Sequence, residues 1–168
     1  MKTEPCAYFI TFRTYGSWLH GDKRGSVDHY HNIFNTPKLK PNNNVNQYMK
    51  KESLQNAIKL SKRHGDIILD ASLHVCNKYD WRLYAIHVRT NHVHLTVKSS
   101  RSPEHVSTQI KAHTTRYLRE HNEFQKTERI WSRGSSTRYL WTPESLYFAN
   151  DYVIDRQGQR MAYHYSDT

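Results

Sequence analysis

The chain has 168 residues, with 25 Lys+Arg against 15 Asp+Glu, a formal net charge of +10 and a pI of about 9.6. Its 36% hydrophobic and 12% aromatic content can fill one ordinary core, and only 6 Gly and 5 Pro exclude collagen-like or low-complexity architecture. No apolar run approaches the roughly 20 residues that span a bilayer, and the polar start Met1 to Pro5 has no apolar signal core, so a cytoplasmic protein without a membrane partner is expected. Cys6 and Cys76 have no CxxC spacing and suit reduced thiols. The dispersed positive charge points to a polyanion, nucleic acid before others.

In chain order, Ala7 to Thr14 predicts a strand, with Tyr8, Ile10 and Phe12 on one face and Phe9, Thr11 and Arg13 on the other. Tyr15 to Asn46, punctuated by Gly, Pro and Asn, reads as a long loop. Gln47 to His64 predicts a helix on the stripe Leu54, Ile58 and Leu60, with Gly65 as its stop, and Asp66 to Lys78 a second one. Trp81 to Val88 and Val93 to Lys98 predict a hairpin turning at Arg89-Thr90-Asn91. Ser102 and Pro103 are a cap and a first helical residue for a helix to about His121. A short strand follows at Thr137 to Trp141, and Thr142-Pro143-Glu144 starts a last helix that runs to near Gln157 and stops at Gly158. This order predicts one α+β domain over residues 1–168, with helices packed on an antiparallel sheet.

The most informative motif is His92-Val93-His94. Strand residues two apart project from the same face, so the two imidazoles stand side by side and suit either a divalent metal or a half-exposed sheet face. His29-Tyr30-His31, beside Asp28, has the same spacing but sits in the loop, where nothing holds the rings in advance. His87, His113, His121 and His164 are isolated and read as structural or surface residues. Two imidazoles leave a metal open positions for phosphate oxygens and water, which on a basic protein suggests phosphodiester chemistry. The nucleophile is then water or a tyrosine. Tyr152, on the last helix, lies off the apolar stripe of Leu146, Ala149 and Val153, so the core does not need it, although a tyrosine at such a margin can simply cover a core edge.

Taken together, Thr90-Asn91-His92-Val93-His94-Leu95-Thr96-Val97 and the helix with Tyr152-Val153 and Gln157-Gly158 resemble the HUH-type single-tyrosine transposases, which include insertion-sequence and REP-associated tyrosine transposases. Tyr8-Phe9-Ile10-Thr11-Phe12, Tyr15-Gly16-Ser17-Trp18-Leu19, and Trp131-Ser132-Arg133-Gly134 to Leu140-Trp141-Thr142 share that likeness, which covers most of the chain except the Asn-rich loop and the last ten residues. The resemblance implies a ferredoxin-like (RRM-like) fold. It implies that His92 and His94 hold Mg²⁺ or Mn²⁺, and that Tyr152 attacks a phosphate of single-stranded DNA to leave a 5′-phosphotyrosine and a free 3′-OH. The covalent link keeps the bond energy, so the same site can rejoin strands. A phenol of ordinary pKa, about 10, is a poor nucleophile at neutral pH, so positive charge from the metal or Arg156 is expected to help.

Some relatives place a glutamine ligand four residues after the tyrosine. Here that position is Arg156, and the glutamine is Gln157, turned by about 140° in a regular helix. Unwinding before Gly158 brings Gln157 back, and Gln157 is preferred as third ligand, with Asp155 as the fallback. Lys111, Arg116, Arg133 and Arg138 are candidates for phosphate contacts, and Trp18 or Trp141 for base stacking. The resemblance implies a hairpin-bearing single strand as DNA partner, and a second copy of the chain is a further candidate partner. Two other functions fit the residues: a nucleic-acid-binding module without catalysis, and a metal-dependent nuclease that uses water.

Overall fold

The computed structural model describes residues 4–18, 40–53 and 55–166, so His29, His31 and Leu54 lie outside the described residues. The elements are β1 (Ala7–Arg13), α1 (Asn43–Lys51), α2 (Lys62–Lys78), β2 (Arg82–Val88), β3 (His92–Lys98), α3 (Pro103–Glu120), β4 (Ser136–Leu140), α4 (Pro143–Asp155) and β5 (Ala162–Tyr165). The five strands form one antiparallel sheet in the order β4-β1-β3-β2-β5. Leaving α1 aside, the run from β1 to β4 is a βαββαβ unit with β1 and β3 in the middle, which is the ferredoxin-like arrangement. It is an α+β fold, to which α4 and β5 are added. Among the described residues no helix is long and apolar enough to cross a membrane.

Strand alternation gives the sheet two faces with different tasks. Tyr8, Ile10 and Phe12 of β1, Leu83, Ile86 and Val88 of β2, and Val93, Leu95 and Val97 of β3 join Ile68 and Val75 of α2 and Val106, Ile110 and Leu118 of α3 in the main core. The opposite face carries Phe9, Thr11 and Arg13 from β1, and His92, His94 and Thr96 from β3. α4 covers part of it, burying Leu146, Ala149, Asn150, Val153 and Ile154. Within that contact the Thr96 hydroxyl donates to Asn150 Oδ1, and both residues are buried.

The caps read from sequence fix two helix starts. The Ser102 side chain accepts from the His105 backbone with Pro103 next in the chain, and Thr142 and Ser145 form a reciprocal capping box at α4.

The helix expected over Gln47 to His64 is not continuous. α1 ends at Lys51, and the following residues hydrogen-bond to backbone just beyond β1 and in the β2–β3 turn: Ile58 N–H donates to Tyr15 O (2.9 Å), and Leu60 N–H to Thr90 O (2.6 Å). These tertiary bonds override a helical periodicity. The loop expected up to Asn46 ends sooner, because Asn42 caps α1 by accepting from the Asn44 and Val45 amides. Gly65 is not a stop. Ser61 and His64 cap α2, and Gly65 lies in its first turn, where an added Cβ would stand 3.1 Å from Ala162 Cβ, so glycine lets the helix approach β5 closely. The strand β5 has no counterpart among the sequence expectations. It pairs with β2, Ala85 with Tyr165 and His87 with Tyr163.

Candidate active site

The register of β1 on β3 sets Thr11 opposite His94 and Arg13 opposite His92. Both histidines share a face, and their rings lie 4.6 Å apart between centroids. Each Nδ1 has a partner: Asn91 Oδ1 lies 2.7 Å from His92 Nδ1, and Thr11 Oγ1 lies 2.7 Å from His94 Nδ1. An amide oxygen can only accept, so His92 carries its proton on Nδ1. The Thr11 hydroxyl can accept from His94 Nδ1 in the same way, and with both Nδ1 atoms protonated each Nε2 keeps a lone pair. Burial pushes the His92 imidazole down to about 4, helped by the Arg13 and Arg89 guanidiniums. Burial pushes His94 down to about 3, with His92 and Arg13 adding to it. Both rings are therefore neutral at pH 7, the state in which imidazole binds a metal.

α4 brings Tyr152 to this pair. The Tyr152 ring stands 5.6 Å from the His94 ring and 5.8 Å, edge to face, from Phe9, which is itself stacked on His94 at 5.7 Å. Tyr152 is 42% exposed, so the residue is partly open to a ligand. Tyr147, on the same helix, is 66% exposed and contacts Phe148 instead.

The end of α4 decides among the other residues. The helix stops at Asp155, and Gly158 takes φ +72°, a conformation glycine adopts without steric cost. The chain unwinds there. The Gln157 side chain folds back along α4, its amide donating to Tyr152 O at 3.2 Å, which places it on the side of the two imidazoles and close enough to bear on their protonation. Asp155 is engaged by Arg160, and Arg156 by Asp151 at 2.6 Å, so both turn to surface ion pairs. Among the described residues no group of three His, Cys, Asp or Glu comes together, and the side chain that α4 brings toward the two histidines is the amide of Gln157. Two neutral imidazoles and an amide oxygen fit a divalent ion that keeps open positions.

The candidates for DNA contact are scattered. Arg13 lies over the Trp18 indole at 3.5 Å. Lys111 turns inward, donating to the carbonyls of Ser132 (2.9 Å) and Gly134, and burial pushes its ammonium down to about 8. Arg116 pairs with Glu120 at 3.5 Å. Arg133 and Arg138 are exposed, Arg138 opposite Phe9 in the register of β4 on β1. Trp141 is exposed and stacked on Tyr139 at 5.8 Å.

Phe9, Thr11 and Asn91 belong to the site without having been singled out in the sequence. The signal for the first two was present: they share the β1 face that alternation separates from the core. Only the pairing of β1 with β3 places them against His94.

Residues 60–149, more than half of the chain, match the family described as IS200-like transposases; the match takes in His92 and His94 and ends three residues before Tyr152. No curated protein matches the chain. A solved structure described as a REP-associated tyrosine transposase bound to a REP hairpin is similar over 91% of this chain and 67% of that one, at 10% identity and a TM-score of 0.49.

Proposed function

We propose, since this chain belongs to the family of IS200-like transposases, that it nicks and rejoins single-stranded DNA through a tyrosine–phosphate intermediate. The observation that carries this reading is the packing of Tyr152 against His94, with Gln157 hydrogen-bonded back to the Tyr152 carbonyl. His92, His94 and Gln157 would hold Mg²⁺ or Mn²⁺. Bound there, the ion supplies positive charge to a scissile phosphate.

The remaining work falls to the chain. Tyr152 Oη attacks phosphorus, loses its proton and forms the O–P bond, while the bond to the 3′ oxygen breaks and that oxygen leaves as a hydroxyl. The 5′ phosphate stays on the tyrosine until a 3′-OH attacks in the reverse sense. Phe9 keeps the phenol against the imidazoles, and Thr11 and Asn91 keep both rings in the tautomer that presents Nε2. The net charge of +10 favours a nucleic-acid strand, and the family resemblance favours one that carries a hairpin.

The test is incubation of the protein with Mn²⁺ and labelled, hairpin-bearing single strands, followed by denaturing electrophoresis. A denaturation-resistant adduct that disappears in Tyr152→Phe is expected. Cleavage without any adduct would replace this reading with a water-using nuclease, and binding without cleavage would replace it with a binding module.

A further inference from the structure

Between Tyr152 and Met161 the chain leaves α4, turns at Gly158 and comes back toward β5. One buried side chain touches both arms of this turn. His87 on β2 is fully buried, with Nδ1 3.0 Å from Val153 O, and the Met161 backbone N–H donates to Nε2 at 3.1 Å. A carbonyl can only accept and an amide N–H can only donate, so these two partners fix a single neutral tautomer with its proton on Nδ1. Val153 lies in the last turn of α4, where carbonyls run out of helical donors. Arg89, two residues beyond His87, holds the same turn by donating from Nη1 to Gln159 O at 2.9 Å. Its Nη2 lies 3.7 Å from where a Cβ on Gly158 would stand.

We propose that His87 is a positioning residue, which by joining Val153 O to Met161 N fixes where Tyr152 and Gln157 stand relative to His92 and His94. This rests on the roles given above to those four residues. His87 itself has its two ring nitrogens engaged by backbone groups, so it acts through the turn and not on a substrate. A buried histidine that merely satisfies its own polar atoms would matter for stability alone, and the two roles separate experimentally.

The full chain carrying His87→Leu or His87→Asn is compared with wild type in three measurements: Mn²⁺ titration calorimetry without DNA, single-turnover cleavage with separate measurement of DNA affinity, and hydrogen–deuterium exchange over residues 157–161. Val75→Ala, in the core on the opposite face of the sheet, serves as a destabilised control. His87→Leu is expected to lower Mn²⁺ affinity and the cleavage rate by about tenfold to a hundredfold, with DNA affinity changed by about twofold or less. Exchange at residues 157–161 rises. His87→Asn, whose amide can still donate to Val153 O, recovers part of both losses, and Val75→Ala leaves both near wild type. Wild-type Mn²⁺ affinity and exchange in folded His87→Leu would overturn the proposal, as would equal losses in Val75→Ala. If His87→Leu does not fold, His87→Asn decides, and unchanged exchange at Met161 in that variant overturns it. A wild-type protein that forms no adduct at Tyr152 would defeat the proposed function, while the Mn²⁺ and exchange measurements would still decide the role of His87.

Discussion

The ring of Phe9 lies stacked on the imidazole of His94 at 5.7 Å and 23°, and meets the ring of Tyr152 at 5.8 Å and 82°. One β1 side chain therefore supports two residues from separate elements, β3 and α4. Replacing Phe9 by Leu keeps an apolar group under α4 but removes both aromatic contacts, at a cost of about 1 kcal/mol in stability. Cleavage should fall by about tenfold or more through misplacement of the phenol, with single-strand binding kept. Thermal melts and single-turnover rates measured on the same preparation check both halves.

Tyr152→Phe keeps the ring and its contacts with Phe9 and His94, so its melting temperature and DNA affinity should match wild type. Nicking and the covalent adduct should both vanish. Tyr147→Phe should stay active, because Tyr147 points to solvent on another side of α4. An adduct persisting in Tyr152→Phe would move the nucleophile to another tyrosine.

His92→Ala and His94→Ala should abolish Mn²⁺ binding in calorimetric titration, and Gln157→Ala should weaken it by about tenfold or more. Asp155→Asn should leave it unchanged, since that carboxylate is engaged by Arg160. The opposite ranking of Gln157 and Asp155 would identify the carboxylate as the third ligand.

Single-strand affinity should fall with salt at a log–log slope of about −2 or steeper, three or more phosphate contacts contributing about −0.7 each. Fluorescence anisotropy across a salt series reads this directly. A flat response would remove the nucleic-acid reading.

Cys76 is buried, and burial pushes its thiol from 9.0 up to about 12. The unfolded chain loses this proton near pH 9 while the folded one keeps it. The contribution to stability is complete below pH 9 and declines as pH rises toward 12. Cys76→Ala should flatten that part of the curve of denaturation midpoint against pH. At pH 8, alkylation of the native protein should label Cys6 and spare Cys76 until denaturant is added.

The elements legible in the sequence were those that local chemistry specifies. β1 and β3 alternate cleanly, β2 is an apolar run with a register shift between Leu83 and Ala85, and Ser102 and Thr142 mark helix starts by satisfying orphan amides, with Pro103 fitting a first helical position. The segment around residues 57–60 was not legible, because its helical spacing competes with hydrogen bonds to Tyr15 and Thr90 that only the folded sheet supplies. β5 is four residues long and is defined by its pairing with β2, which no local pattern announces. In the site, the side-by-side placement of His92 and His94 followed from strand period, while their reading as metal ligands came from the family resemblance. The approach of Gln157 depended on how α4 ends, and Gly158 was the visible clue. Lys111 shows the converse: its charge suggested a phosphate contact, whereas it ties α3 to the carbonyls before β4.

The buried pair of Thr96 and Asn150 joins β3 to α4 beside the apolar contacts that Ala85 and Phe9 make with Val153 and Ile154. Leucines and valines alone would let the helix slide along the sheet at small energetic penalty, since one greasy surface resembles the next. Sliding by a single turn here strands a hydroxyl and an amide without partners, at about 1–3 kcal/mol each. The helix thus has one seating, and Tyr152, less than one turn beyond Asn150, is indexed to His94 by a bond that takes no part in the chemistry.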